Sequence, residues 1–340
     1  MTGANGGQPR GGLLSGAYAR ITQLRRSWYS RPGRQRHLNH RVISVGNLSM
    51  GGSGKTPVVA ALARLLRDIG ERPVVLTRGY GRRDTTEGVL VVSDGLRVLE
   101  PVTRSGDEPQ LLARTLPGVP VLVCPDRYVA GLFAEKQFGA TVSILDDGFQ
   151  HVQLQRDIDL LLVSPADLDD CVLPAGRLRE PLEVARLADA VLVPGTDADV
   201  AGVAARLGHD QAFRVVSRFG ALCTGGRVVS DPPNRVVAFA GIARPERFFG
   251  ALRLLGYDVA RELTFRDHHW YTRHDAEMIQ SAARETNASL VVTTEKDAVR
   301  CDMDVAVLPM TVSIEPGADF AEWLTLRVNP SPLKARGGRG

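Results

Sequence analysis

"VGNLSMGGSGKTP", residues 45–57, ends as a phosphate-binding loop ends. Such loops read GxxxxGK[ST] and open a helix. Gly54, Lys55 and Thr56 satisfy the last three positions, but the first glycine of the pattern falls on Ser49, with Gly46, Gly51 and Gly52 around it. The flanks decide between a nucleotide site with an altered entrance and a plain glycine-rich turn. Upstream, "RVISVGN" (41–47) is a short apolar run, as expected of a buried parallel strand. Downstream, Val58, Leu62, Leu65, Leu66 and Ile69 mark one helical face that stops at Gly70. Pro57 fits the first turn of that helix, where no amide hydrogen bond is lost. Strand, loop and helix together are the setting a phosphate loop requires. Main-chain amides of Gly51, Gly52, Ser53 and Gly54 are then the expected anion site, ahead of a helix N-terminus. Lys55 is expected to reach the β- and γ-phosphates of ATP, and the Thr56 hydroxyl to bind Mg²⁺. The chain has only four lysines against 38 arginines, yet the loop carries a lysine. A guanidinium fork is a poor substitute for a compact ammonium in that place.

The same alternation continues. Strands are expected at 73–81, 119–124, 140–151, 158–165 and 188–195, with helices at 106–116 and 127–138. This predicts an α/β fold, a doubly wound parallel sheet of the phosphate-loop NTPase type. Residues 213–233 read as a two-stranded ribbon around Gly225 and Gly226. The rhythm then restarts, with strands in "NRVVAFAG", "SLVVTTEKD" and "VAVLPMTVSI" and a helix over 274–286. The expected organisation is an N-terminal arm (1–40), a kinase-type domain (41–212), a two-stranded β hinge (213–233), a smaller α/β domain (234–327) and a disordered tail (328–340).

Residues 1–41 hold eight arginines and no acid, and the rest of the chain has 34 basic against 38 acidic residues. The positive net charge therefore belongs to the arm, and the body is not a nucleic-acid surface by charge. Within 13–29, Leu14, Ala17, Tyr18, Ile21, Leu24 and Trp28 share a helical face. An arginine-rich amphipathic helix suits an anionic membrane surface, while packing on the body and nucleic-acid binding are the other readings. No apolar run approaches the roughly 18 residues of a membrane span, and arginines interrupt any secretory-signal core. The four cysteines, Cys124, Cys171, Cys223 and Cys301, are far apart in sequence and read as reduced thiols of a cytosolic protein.

Three further stretches carry chemistry. Asp146 and Asp147 end an apolar strand, where a phosphate-loop enzyme commonly holds its Mg²⁺; Asp-Gly also favours a plain turn. Which carboxylate is nearer the metal stays open. In "SGDEP" (105–109), Asp107 and Glu108 read as helix caps or as catalytic acids. In "TFRDHHWYT" (264–272), Asp267, His268, His269 and Tyr271 lie together without the spacing of a metal-binding helix.

Taken in order, "VGNLSMGGSGKTP", "TRGYGR", "GDEP", "LDDGFQH", "PAGRLREP", "GIARPERFF", "FRDHHWY" and "TTEKDAVR" resemble the tetraacyldisaccharide 4'-kinase family over roughly residues 13–325. The resemblance implies that the altered loop is genuine, with Gly46 and the Gly51-Gly52 pair at its entrance. It implies transfer of the ATP γ-phosphoryl group to the 4'-hydroxyl of tetraacyldisaccharide 1-phosphate in lipid A biosynthesis. Motif by motif, it makes Asp107 the general base and His268 its partner, and Asp146 an Mg²⁺-associated carboxylate. Asp147 and His151 belong to the same motif. Arg179 and Glu180 lie near nucleotide, metal and substrate phosphates, with Glu180 a metal candidate, and Arg78 and Arg127 are further active-site positions. The arm becomes a membrane-associating helix on the cytoplasmic face of the inner membrane, with the lipid as substrate and no obligatory protein partner. His269 stays unassigned and Lys296 is a weak substrate-contact candidate. Because Asp107 and His268 fall in different expected domains, their pairing is expected to need hinge closure around 213–233. The alternatives are a soluble small-molecule kinase, a phosphate-loop ATPase of another pathway, or a nucleotide-dependent binding switch.

Overall fold

The computed structural model describes residues 12–52, 54–84 and 87–329. Along the chain come β1 (Arg41–Asn47), β2 (Pro73–Thr77), β3 (Leu90–Ser93), β4 (Val121–Val123) and β5 (Val142–Asp146). They are followed by β6 (Ile158–Leu162), β7 (Ala190–Pro194), β8 (Ala212–Phe219), β9 (Cys223–Thr224) and β10 (Arg227–Val228). The last strands are β11 (Arg235–Ala240), β12 (Asp258–Thr264), β13 (Leu290–Thr294), β14 (Ala306–Leu308) and β15 (Met310–Glu315). The helices are α1 (Leu13–Tyr29), α2 (Lys55–Asp68), α3 (Val102–Ser105), α4 (Asp107–Thr115) and α5 (Arg127–Phe138), then α6 (Asp197–Leu207), α7 (Pro245–Leu254), α8 (Arg273–Glu285), α9 (Glu295–Ala298) and α10 (Gly317–Val328). Of the expected tail, residues 330–340 lie outside the described residues, as do 1–11 of the arm and Ser53 of the loop.

The chain packs as two compact units, each assembled from separated segments. The described residues of 1–55, 145–216 and 314–340 form one, and those of 56–144 and 217–313 the other. In the first, β8, β7, β6 and β1 are neighbours in that order. Ile43 of β1 stands opposite Ile158, Leu160 of β6 opposite Ala190, and Val191 of β7 opposite Ala212, all in parallel. Strands β6 and β1 are buried along nearly their whole length, which is why both read as continuous apolar runs. Leu48, Phe149, Leu161, Val191 and Val193 share a core. Phe213 of β8 meets Phe320 and Trp323 of α10 edge-on at 5.0 and 5.7 Å between ring centres.

Gly46 is a β1 residue. A Cβ on it would lie 2.9 Å from the Phe149 amide nitrogen and closer still to the Phe149 Cβ, so the bare backbone is what lets Phe149 seat. This corrects the expectation that Gly46 belongs to the loop entrance. The loop's own conformational demand falls on Gly51 (φ +106°) and Gly54 (φ +79°), both left-handed.

In the second unit β2, β4 and β3 are neighbours, β2 parallel and β3 antiparallel to β4. A six-stranded sheet runs β10-β9-β14-β13-β11-β12. Its central strands are parallel, and the β9–β10 hairpin, turning at Gly225 and Gly226, adds an antiparallel edge. The core of this sheet includes Val236, Ala238, Phe248, Leu252 and Val292. The stretch 213–233 thus divides, β8 extending the parallel sheet and β9–β10 edging the other. "VAVLPMTVSI" divides likewise at Pro309, giving β14 to one sheet and β15 to the other. The fold is a mixed α/β one of phosphate-loop NTPase type, with a large parallel sheet and a second sheet, as the sequence pattern predicts. Among the described residues no helix is long and apolar enough to cross a membrane.

Candidate active site

Two side-chain clusters, one in each unit, gather six of the predicted site residues: Lys55, Asp147, Arg179 and Glu180 in one, and Asp107 and His268 in the other. The first surrounds Lys55, at the start of α2. Its ammonium donates to Asn47 Oδ1 at 2.7 Å and lies 3.3 Å from Asp147 Oδ1. Asn47 is fixed in turn, because its own amide donates to the Ser49 carbonyl at 2.6 Å. Asp147 follows β5 with φ +56°, an uncommon backbone for a residue with a side chain. That conformation presents its carboxylate to Lys55 and to Arg179, whose Nη1 donates to both oxygens at 3.0 and 2.8 Å. Burial acts to raise the Asp147 carboxyl, but Lys55 and Arg179 outweigh it and hold it below the usual carboxylate range. Its side chain remains 39% exposed.

Gln150 ties the neighbouring pieces together. Its Nε2 donates to the Asn47 carbonyl at 3.0 Å and to Glu180 Oε2 at 3.2 Å, and its Oε1 accepts from Arg179 at 3.4 Å. Glu180 is buried, and both its oxygens are engaged by Arg26 of α1, at 3.1 Å from Nε and 2.8 Å from Nη2. Asp146 is buried at the end of β5, and His151 is half-buried with its amide on the Gly148 carbonyl at 2.8 Å.

The second cluster centres on Asp107, the first residue of α4. Gly106 before it has φ +87°, and a Cβ there would lie 2.8 Å from the Tyr80 carbonyl oxygen, so the turn into α4 requires glycine. Asp107 is the first helical residue and Gly106 the N-cap, so the cap reading does not hold; its Oδ1 accepts from the adjacent Glu108 amide at 3.0 Å and its Oδ2 lies 2.9 Å from His268 Nδ1. His268 follows β12 with φ +59°, held there by its amide on the Gly241 carbonyl at 3.1 Å. Tyr80 meets the imidazole edge-on at 5.5 Å.

Sequence reasoning missed how many cations surround Asp107. Arg300 Nη1 is 3.3 Å from Oδ2 and Lys296 Nζ is 3.8 Å away, with the Arg300 side chain only 1% exposed. Arg300 is aimed by Asp297, which accepts from its Nη2 at 2.8 Å. Tyr271, Thr294 and the Gly241 amide all donate to the same Asp297. Lys296 also faces Glu108 and His268 Nε2, each at 3.4 Å, and Asp267 at 3.5 Å. Burial acts to raise the Asp107 carboxyl, yet His268, Lys296 and Arg300 overcome it and hold the group below the usual range. Burial acts to lower Lys296, but Glu108, Asp107 and Asp267 keep its ammonium more firmly protonated than usual. The signal available in the sequence was "TTEKDAVR", whose Lys296, Asp297 and Arg300 fall on one short helix and the turn after it.

The expectation that Asp107 and His268 lie in separate domains is corrected. Both belong to the unit built from 56–144 and 217–313, where α4 packs on α9, and the pair is already joined. Arg78 is exposed just past β2, and Arg127 is buried at the start of α5, with Nη1 on the Pro125 carbonyl at 3.0 Å. His269 serves the local fold: it stacks on Phe265 at 4.8 Å and bonds Asp275 of the α8 capping box at 3.1 Å.

Among the described residues no group of three or more His, Cys, Asp or Glu side chains is placed to hold a metal ion. The candidate metal residues Thr56 and Asp146 carry hydroxyl and carboxylate oxygens, the donor type a hard cation takes, and Asp146 is buried.

Comparison with known proteins places these motifs. Residues 12–329 match the family described as tetraacyldisaccharide-1-P 4'-kinase. The tetraacyldisaccharide 4'-kinase of Syntrophus aciditrophicus (strain SB) is 42% identical over 309 residues, 84% of this chain and 82% of that one. That of Geobacter metallireducens is 42% identical over 295 residues, 85% and 87% of the two chains. A crystal structure of the "apo" form of LpxK from Aquifex aeolicus in complex with ATP superimposes with a TM-score of 0.78 at 34% identity, covering 93% of this chain and 98% of that one.

Proposed function

Since the chain belongs to the tetraacyldisaccharide-1-P 4'-kinase family, we propose that it transfers the γ-phosphoryl group of ATP to the 4'-hydroxyl of tetraacyldisaccharide 1-phosphate, with Asp107 as the general base. The observation that carries the assignment of the base is a buried carboxylate, 3% exposed, held ionised by His268, Lys296 and Arg300. A sugar hydroxyl is a poor nucleophile, and it needs a positioned carboxylate to take its proton as the new P–O bond forms. Asp107 has that capacity. His268 Nδ1 orients Oδ2, and the Glu108 amide orients Oδ1.

On the nucleotide side, the amides of Gly51, Gly52, Ser53 and Gly54 and the N-terminus of α2 cradle the phosphates. Lys55 is held in readiness by Asn47 and Asp147, and its ammonium stabilises charge on the group in transfer. Thr56 and Asp146 are the residues that would hold Mg²⁺, which supplies charge neutralisation at the phosphates when bound. Glu180 is the third oxygen donor assigned to that role, and it is shared with Arg26. His151, Arg78, Arg127 and Arg179 serve the anionic groups of nucleotide and acceptor.

The lipid acceptor calls for a membrane-surface enzyme, peripheral on the cytoplasmic face of the inner membrane and anchored by α1. The apolar stripe of α1 is turned outward: Ile21 is 64% exposed and Leu24 63%, with Leu13, Leu14 and Trp28 exposed beside them. The arginines of 1–41, with no acid among them, complement anionic headgroups.

The test is phosphoryl transfer from γ-labelled ATP to the purified disaccharide 1-phosphate. Wild-type protein is expected to label the acceptor. Asp107→Ala is expected to lose about 10²–10⁴-fold in kcat, as removal of a general base does, and Lys55→Ala a comparable factor of about 10²–10³. ATP hydrolysis without acceptor labelling would overturn the kinase reading, and unaltered transfer by Asp107→Ala would remove Asp107 as the base.

A further inference from the structure

Helix α1 is fastened to the body in an unusual way. Its buried residues are Ser15 and Arg26, both polar, while its apolar stripe faces out. Ser15 Oγ accepts from the Ala175 amide at 3.2 Å, and Arg25 Nη1 donates to the Gln150 carbonyl at 2.9 Å. The principal contact is Arg26, 9% exposed. Its fork grips both oxygens of Glu180, and Nη2 also donates to the Phe149 carbonyl at 3.1 Å. The guanidinium lies over the Phe149 ring, 4.6 Å from its centre. A buried, bidentate pair of this kind fixes geometry more than it adds stability.

Through Glu180, Arg26 joins the network that frames Lys55. Glu180 bonds Gln150; Gln150 bonds Asn47 and Arg179; Asn47 bonds Lys55, and Arg179 bonds Asp147, the other partner of Lys55. An arm whose outer face suits a bilayer is thereby joined, through one buried guanidinium, to the residues that hold the nucleotide lysine.

We propose that Arg26 is a positioning residue that links the seating of α1 on an anionic bilayer to the Lys55–Asn47–Asp147 cluster, so that bilayer binding tightens nucleotide binding. The proposal rests on the kinase reading above and adds a coupling between two of its surfaces. Such linkage is reciprocal and typically amounts to about fivefold or more in affinity.

The experiment titrates a fluorescent ATP analogue with Mg²⁺ into the full chain, with and without vesicles of phosphatidylethanolamine and phosphatidylglycerol. Wild type is expected to bind the analogue about fivefold tighter on vesicles. Arg26→Gln is expected to sediment with vesicles as wild type does but to bind the analogue equally with and without them. Arg26→Lys, which keeps the charge but not the fork, is expected to restore part of the difference. Ser15→Ala, which removes a contact of α1 outside the network, is expected to keep all of it. A purely structural role would lower the melting temperature of Arg26→Gln and leave the vesicle response intact, and that result overturns the proposal. So does a wild-type affinity that ignores vesicles. Failure of wild type to bind the analogue under any condition would overturn the kinase reading itself.

Discussion

Asp107, the base proposed above, shows how the neighbours of a single residue set the charge state of its carboxylate. The letters "GDEP" fit an ordinary helix start, and the structure uses Asp107 as one. What distinguishes it is the company of Arg300 and Lys296, which arrive from a segment about 190 residues further on. That company has a measurable signature. A base works only while ionised, so activity is lost as pH falls through its pKa. For Asp107 that acid limb is expected below the 3.8 of an unperturbed aspartate. Lys296→Met removes a cation 3.8 Å from the carboxylate, which raises the pKa and moves the acid limb of kcat/KM to higher pH; a profile superimposable on wild type would exclude Lys296 from any role in setting the base. Residues such as these were the least legible part of the sequence. Lys55 stands out through local motif and position, whereas Asn47 and Arg300, though inside quoted motifs, are marked only by the contacts the fold gives them.

Elements were easier to foresee than their partners. Helices α2, α4, α5 and α8 fall within a residue or two of the expected boundaries, because caps, glycine stops and apolar spacing are local properties. The short or half-exposed elements β3, β12, α6 and α10 escaped, since their patterns are weak over so few residues or continue into neighbouring loops. "VAVLPMTVSI" reads as one strand, and only the sheets show that Pro309 splits it between two. Helix α1 is the element whose pattern was clearest and whose orientation the pattern left open. Amphipathicity gives the stripe, and only the polar contacts of Ser15 and Arg26 show that the stripe faces outward. The double variant Ile21→Asp/Leu24→Asp therefore leaves the packing of the body alone. It is expected to lower vesicle partitioning by about tenfold or more, the loss of roughly 1.4 kcal/mol or more of apolar burial, with an unchanged melting temperature in a sedimentation and thermal-denaturation comparison.

At the scale of the whole molecule, the α/β class and the two sheets were legible from the alternation of apolar runs and helices. The unit boundaries follow a different logic from the linear one, because each unit gathers segments that sequence order keeps apart. The first of them reaches to the end of the described chain, where α10 sets Phe320 and Trp323 against Phe213 of β8. Phe320 is almost fully buried, so Phe320→Ala is expected to cost about 3–5 kcal/mol, read from urea denaturation; a cost below about 1 kcal/mol would mean that α10 is peripheral to that core. The interleaving has a consequence for biosynthesis. A nascent chain emerging from the ribosome meets strand β8 long before strand β15 and α10 exist to cover it. The first unit stays unfinished until α10 has been made, and neither unit is formed by one contiguous stretch of the chain.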